Sequence, residues 1–391
     1  MRFKIVTLGC KLNFAESSAL GKVLIDRGHS RCKAGETADV VIVNTCTVTD
    51  TADHKDRQAI HRIKRENPQA RVIVTGCYAQ LKPQEIADMA EVDHVILKRH
   101  DIFQGAYSRE DRTRCFLKVQ DGCNYFCTYC TIPFARGRSR NPYIRDIVRE
   151  ARQALHDGAK EIILTGVNIG DFGRSTNERF IDLIRTLDTI PDVEQNYRIR
   201  ISSCEPNLLT DEIIDFVAQS KHFAPHFHIP LQSGNNEVLQ IMHRHYTREL
   251  FAERIEHIKR VMPHAFIGVD CMVGVRGETE ERFNDYVAFI RQLPVSQLHV
   301  FTYSERANTR MLEMDLYVVP QQERERRSKV LHAISADKLA AFYQAHKGQS
   351  GLVLWESKND HGTMYGFTEN YIKVGSPYDK QKVNTFERIT I

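Results

Sequence analysis

Apolar and polar positions fall into two successive strand–helix alternations and a final run of short alternating segments. In the first alternation Phe3–Leu8 reads as a strand, followed by a helix over about Phe14–Arg27. Val40–Val43 is a continuous β-branched run, the pattern of a strand covered on both faces. Thr49 is placed to cap a helix that runs to about Asn67, where Pro68 stops it. Arg71–Thr75 is the next strand, and Pro83 opens a further helix at the position where proline is tolerated. This βαβαβ order predicts a small, doubly wound parallel sheet.

The second alternation begins near Arg114. Its strands are expected at Cys115–Val119, Glu161–Thr165, Tyr197–Ser202, His226–Ile229, Phe266–Val273 and Gln297–Tyr303. Its helices are expected at Ile144–His156, Arg179–Leu187, Asp211–Gln219, Arg248–Val261 and Glu280–Leu293. Six such units predict a partial (β/α)6 barrel, with an open doubly wound sheet as the alternative that periodicity does not separate from it. Pro320–Lys347 reads as a long polar helix. Beyond Gly348 the segments LVLWES, MYGFTE, YIKVGS and NTFERITI alternate between turn residues, the signature of a small antiparallel β-barrel. The fold class is therefore α/β with an all-β tail. The expected units are 1–110, 111–347 and 348–391.

A length of 391 residues accommodates two or three such units. The net charge of +4 is too small to mark a nucleic-acid binder by itself, so any basic surface must be local. No apolar run approaches the ~18 residues of a membrane span, and Lys11 interrupts the N-terminal apolar stretch, so a cytoplasmic location without a membrane partner is expected. Ten cysteines then need a reason, because structural disulfides are rare in a reducing compartment.

Cys123, Cys127 and Cys130 form a C-x3-C-x2-C cluster on the loop after the first strand of the second alternation. Three thiolates on one loop can converge on one metal centre. Zinc would require a fourth Cys or His nearby. A [4Fe–4S] cluster on three cysteines leaves one iron open for an outside ligand. Cys10, Cys46 and Cys77 are dispersed, yet each ends a strand of the first alternation, in VTLGC, VIVNTC and VIVTGC. The carboxyl ends of adjacent parallel strands share one edge, so these three can meet at a second centre. Each also fits as a small buried hydrophobe. Cys32, Cys115, Cys204 and Cys271 read as bystanders.

The C-x3-C-x2-C loop at the head of a six-unit barrel resembles the radical S-adenosylmethionine (SAM) superfamily. The resemblance implies SAM bound to the open iron and cleaved to a 5′-deoxyadenosyl radical. The three strand-end cysteines, the barrel and the small C-terminal barrel together resemble the methylthiotransferase family over nearly the whole chain. TLGCKLNFAES, NTCTVTDTADHKDR, TGCYAQ, LTGVNIGDFG, EPNLLTDEII, HFHIPLQSG and GFTENYIKV are most similar to its MtaB type. Val275–Arg276 departs from a common aromatic–proline pair, and Thr302 stands where proline is common.

What the resemblance implies is methylthiolation at C2 of N6-threonylcarbamoyladenosine beside the tRNA anticodon, with two SAM molecules and two [4Fe–4S] clusters. It implies a tRNA anticodon stem-loop as partner, an electron donor such as flavodoxin or ferredoxin, and a sulfur donor. Cys123, Cys127 and Cys130 would hold the SAM cluster, and Cys10, Cys46 and Cys77 the auxiliary one. Tyr129 would lie against adenine. Thr165, Gly166, Asn168, Ser203, Glu205, His228 and Gln232 would line the SAM site, or else serve as ordinary polar groups of barrel and loop. Methylthiolation of isopentenyl-adenosine or of a ribosomal-protein aspartate, and a non-catalytic iron–sulfur RNA-binding or redox-sensing protein, are the competing functions. A sensor cluster has no reason to leave an iron open, which argues against the last.

Between Thr131 and Arg152 six arginines face two acids. Arg136, Arg138 and Arg140 recur at every second residue, so an extended run there would track RNA phosphates. A solvated loop and helix face is the plainer reading. Trp355, Tyr365, Phe367 and Tyr371 in the tail fit either base stacking or core packing.

Overall fold

The computed structural model describes residues 1–33, 35–98, 105–108, 113–190, 193 and 196–391. The expected boundary between units at 110 and 111 lies outside the described residues. The first alternation folds as a parallel five-stranded sheet in the order Ser30–Arg31, Arg2–Thr7, Val40–Thr45, Arg71–Gly76, His94–Val95. Val41, Val43, Val72 and Val74 are buried against Ile60 and Ile63 of the helix Asp50–Glu66. The Thr49 hydroxyl caps that helix by accepting from the Ala52 N–H. The first helix starts at Lys11 rather than near Phe14, because Phe14 N–H already bonds the Cys10 carbonyl.

The second alternation gives six parallel strands in two three-stranded leaves. One is Arg114–Lys118, Glu161–Thr165 and Arg198–Ile201; the other is His226–Gln232, Phe266–Val273 and Gln297–Thr302. An isolated parallel bridge, Ser203 to His228, joins the leaves into one partial barrel. Outward-facing Leu117, Ile162, Leu164, Ile199, Phe227, Ile229, Val269 and Leu298 build the main core with the surrounding helices. The alternate positions face the lumen and are largely polar: Lys118, Glu161, Thr165, Arg198, Arg200, His226, His228, Asp270 and His299. Such a lumen is affordable only if each polar group finds a partner. The helix Lys11–Asp26 covers the open side, with Phe14, Ala15 and Ala19 packed on Ala106, Phe116 and Ile163.

The tail is a four-stranded antiparallel sheet in the order Lys373–Pro377, Thr363–Phe367, Ser350–Trp355, Phe386–Thr390. It docks under the amino ends of the barrel strands. Arg198 donates to the carbonyls of Leu352 and Phe367, and Arg200 to those of Thr368 and Glu369. Both arginines also grip Glu161. Burial alone would raise the Glu161 carboxyl, but Arg198, Arg200 and Arg114 outweigh it and hold the group down at about 2. Trp355 is buried in this sheet with its indole N–H on Glu387, and Phe367 stacks on Tyr371. Tyr365, Phe367 and Tyr371 are each half-buried, Tyr365 beneath Lys373.

Candidate active site: two cysteine triads across one interface

In the first sheet Thr7, Asn44 and Thr75 are in register, so the chain leaves three neighbouring strands at one level. Cys10, Cys46 and Cys77 follow within three residues and influence one another electrostatically. Gly9 has φ +100°, and a Cβ there would lie 2.6 Å from the Cys46 Cβ. That close approach is why a glycine precedes the cysteine. Gly76, with φ +102°, does the same beside Thr45. The Cys46 N–H donates to Asp56 at 2.8 Å. Burial pushes the Cys46 thiol up to about 12 and raises that of Cys77.

The second triad lies on the loop after Arg114–Lys118. The Cys123 N–H donates to the Gly137 carbonyl at 3.1 Å, and the Cys130 N–H to that of Cys127 at 3.0 Å. These bonds close the loop that carries Cys123, Cys127 and Cys130, and the three thiols influence one another electrostatically. Burial pushes Cys123 and Cys130 up to about 12. Three cysteines at each place are the donor set of an iron–sulfur cluster with one open iron, so the residues present fit a metal centre at both. Close to the second triad, buried Asn168 Oδ1, Ser202 Oγ and Gln232 Oε1 have no hydrogen-bond partner among the described residues. Orphaned polar atoms around a cluster loop fit a polar ligand such as SAM.

The other expected SAM residues are distributed as follows. Tyr129 packs on the cluster of Val238 and Met242. Thr165 has its hydroxyl on the Ile163 carbonyl, and Gly166 makes room for Gln120, whose Oε1 would sit 2.9 Å from a Cβ there. Ser203 forms the bridge between leaves. Glu205 pairs with Arg244, and His228 with Asp270.

Two residues absent from the sequence reading hold this mouth together. Arg244 donates to the Cys127 sulfur at 3.1 Å while pairing with Glu205. Gln120 accepts from the Val167 and Asn168 N–H groups and donates to the carbonyls of Asp121 and Gly122, tying the cluster loop to the next strand end. Neither carries a spacing signal; the basic HRH run at 243–245 was the only hint of Arg244.

The arginine run departs from its expected form. Arg136 ends the short helix Ile132–Arg136 and is 2% exposed. It bonds Asn13 at 2.5 Å, Asp121 at 3.0 Å and Glu16 at 3.1 Å. Arg140 is partly buried on Asp121 and on the Arg136 carbonyl. Only Arg138 is exposed, with its guanidinium 5.7 Å from the Phe126 ring centroid. The cause is Glu16 and Asp121, acids distant in sequence that draw the cations inward. The consequence is a buried ionic joint. Asn13, beside Cys10, and Asp121, beside the Cys123 loop, share Arg136, so one guanidinium spans the two triads.

Residues 2–97 match the profile described as uncharacterized protein family UPF0004, and residues 117–290 that of the radical SAM superfamily. The threonylcarbamoyladenosine tRNA methylthiotransferase MtaB of Bacillus subtilis (strain 168) is 38% identical, covering 94% of this chain and 88% of its own length. That of Aquifex aeolicus (strain VF5) is 34% identical, with 96% of each chain covered. The tRNA-2-methylthio-N(6)-dimethylallyladenosine synthase of Desulfitobacterium hafniense (strain Y51) is 29% identical over 99% of this chain and 94% of its own. The solved radical SAM methyltransferase TsrM from Kitasatospora setae, with tryptophan and aza-SAM bound, shares the fold at TM-score 0.56 and 15% identity, covering 76% of this chain and 72% of that one. With identity of 34–38% to the two MtaB proteins held along nearly its whole length, the chain belongs to the radical SAM tRNA methylthiotransferases, in their MtaB branch.

Proposed function

We propose that the protein works as a radical SAM enzyme with SAM and a [4Fe–4S] cluster. We propose that it methylthiolates C2 of N6-threonylcarbamoyladenosine next to the anticodon of tRNA, with two SAM molecules and a second [4Fe–4S] cluster. The observation that carries the reading is the pair of cysteine triads facing one another across the Arg136 joint. When bound, the two clusters and SAM would supply electron transfer, hydrogen abstraction, a methyl group and a place to hold sulfur, chemistry that acids and bases do not reach at an aromatic C–H.

The chain's own residues do the holding. Cys123, Cys127 and Cys130 anchor one cluster, and Arg244 offsets the negative charge of Cys127. Cys10, Cys46 and Cys77 anchor the other. Asn168 and Gln232 offer unpaired groups to SAM; Tyr129, Thr165, Gly166, Ser203, Glu205 and His228 shape the pocket around it. Arg136 keeps the two centres at a fixed separation, because a buried guanidinium held by three partners has little freedom. Arg138 is the exposed member of its run and meets the anticodon stem-loop. Electrons come from a flavodoxin or ferredoxin, and sulfur from a separate donor. The units are 1–110, 111–347 and 348–391.

Iron and sulfide near ~8 per chain are expected after anaerobic reconstitution; ~4 would overturn the second cluster. One assay reads 5′-deoxyadenosine and methylthiolated nucleoside together. Cys127→Ala abolishes both products. Cys46→Ala keeps 5′-deoxyadenosine and loses methylthiolation. A folded Cys46 variant that still methylthiolates tRNA refutes the reading of the first sheet.

A further inference from the structure

Two short helices meet at the seam between the triads. Cys77–Leu81 begins at a cysteine of the first triad, and Ile132–Arg136 begins two residues after Cys130 of the second. They pack on one another. Beside them is a crevice of about 110 Å³, lined by Leu81 and Lys82 of the first unit, by Phe134, and by Asn308 of the loop after the last barrel strand. Phe134 is 49% exposed. Tyr125, Phe126, Tyr129 and Ile132 of the same loop are all buried or half-buried, so this one ring is left open among sheltered neighbours.

Phe134 belongs to a larger arrangement. The Phe126 ring meets it edge to face, with centroids 6.2 Å apart. The Arg138 guanidinium lies 5.7 Å from the centroid of Phe126. Phe126 has φ +49°, a left-handed backbone that a bulky residue enters only at a cost. On the other side of the crevice Asn308 is exposed, and two residues beyond it Arg310 is exposed as well. Neither Arg138 nor Arg310 has an ion pair among the described residues. A cation, two rings, a crevice and a second cation therefore follow one another across the seam.

The order of these groups says what covers them. A docked protein buries roughly 800 Å² on each side, whereas here one open ring is flanked by cations. Rings interleaved with cations fit unpaired nucleotides, whose bases stack on aromatic faces while their phosphates meet arginine. An adenine that presents C2 to two centres must leave its stack, and its departure uncovers the face of the neighbouring base. We propose that Phe134 stacks on the nucleobase next to the target adenosine, with Arg138 and Arg310 on the flanking phosphates. The inference rests on the RNA substrate proposed above and adds to it the group that holds the loop open at the seam.

The test uses the reconstituted holoenzyme and an anticodon stem-loop carrying threonylcarbamoyladenosine, with affinity measured anaerobically across a salt series. Phe134→Ala is expected to weaken binding about tenfold at every salt concentration, the worth of one stacked base. The slope of log affinity against log salt should stay as in the parent, because no charge is lost. Phe134→Tyr should bind as the parent does, and Phe134→Leu, apolar but not flat, should lose most of what Phe134→Ala loses. Two further stem-loops are abasic on one or the other side of the target adenosine. In one of them the Phe134→Ala penalty should vanish, since the base that stacked is already gone. Iron content and a melting curve report on the fold; should Phe134→Ala lose iron, Phe134→Leu against Phe134→Tyr carries the decision. A folded Phe134→Ala that binds as the parent does, a Phe134→Leu that does so, or a penalty undiminished in both abasic loops overturns the assignment. So does a Phe134→Ala with parental RNA affinity whose clusters are reduced more slowly by reduced flavodoxin, since the ring then docks a protein. A parent that does not bind the stem-loop at all overturns the substrate reading, and this inference with it.

Discussion

Replacing Glu161 by Gln tests whether the C-terminal sheet is held under the barrel by charge. Glu161 is wholly buried between Arg198 and Arg200, and the same two arginines hold four carbonyls of the tail. Arg200 keeps its charge despite burial because its guanidinium donates to Glu161 and to two carbonyls. The carboxyl lies at about 2 in the fold against an ordinary 4.5. At about 1.4 kcal/mol per pH unit, that lowering is worth about 3 kcal/mol at neutral pH. Its sign follows from the direction. A depressed carboxyl stabilises the fold above its unfolded value and loses that contribution as pH falls toward the folded one. The gap between parent and Glu161→Gln should therefore be about 3 kcal/mol at pH 7 and shrink to about 1 kcal/mol at pH 3. Trp355 is the single tryptophan, is 2% exposed and lies in the tail sheet, so urea unfolding followed by its fluorescence reads this unit directly. A variant that unfolds with the parent, or a gap that does not change between the two pH values, would refute the ionic account of docking.

Arg138→Glu should weaken tRNA binding and lower the slope of log affinity against log salt by about one, while Arg136→Glu should cost stability instead, since it places an anion among Glu16 and Asp121. Salt-dependent filter binding and a melting curve separate the two outcomes. Arg244→Gln leaves Glu205 and the Cys127 sulfur without their shared cation; SAM affinity should fall about tenfold or more with RNA affinity held, as calorimetry would show. Thr49→Ala removes the helix cap on Ala52 and should cost about 1 kcal/mol in denaturant unfolding, with no effect on SAM binding.

Much of the architecture was already written in local pattern. β-branched runs separated by amphipathic stretches placed the parallel strands. Glu161–Thr165 and Phe266–Val273 have the expected bounds, as do the helices Ile144–His156, Asp211–Gln219 and Arg248–Val261. The two cysteine triads were equally legible, because ligand spacing on one loop and repetition at strand ends are properties of the chain itself. The roles of the cations were not. Arg136 looked like Arg138 in sequence, yet one is buried and the other exposed, because Asp121 meets Arg136 across the folded cluster loop and Glu16 arrives when the first helix closes the barrel. Arg244 acquired a sulfur and a carboxylate in the same way. Strand and helix periodicity follow from backbone geometry acting over a few residues. The partner of a charge is decided by which distant segments share a space, and that is settled only by the packed fold.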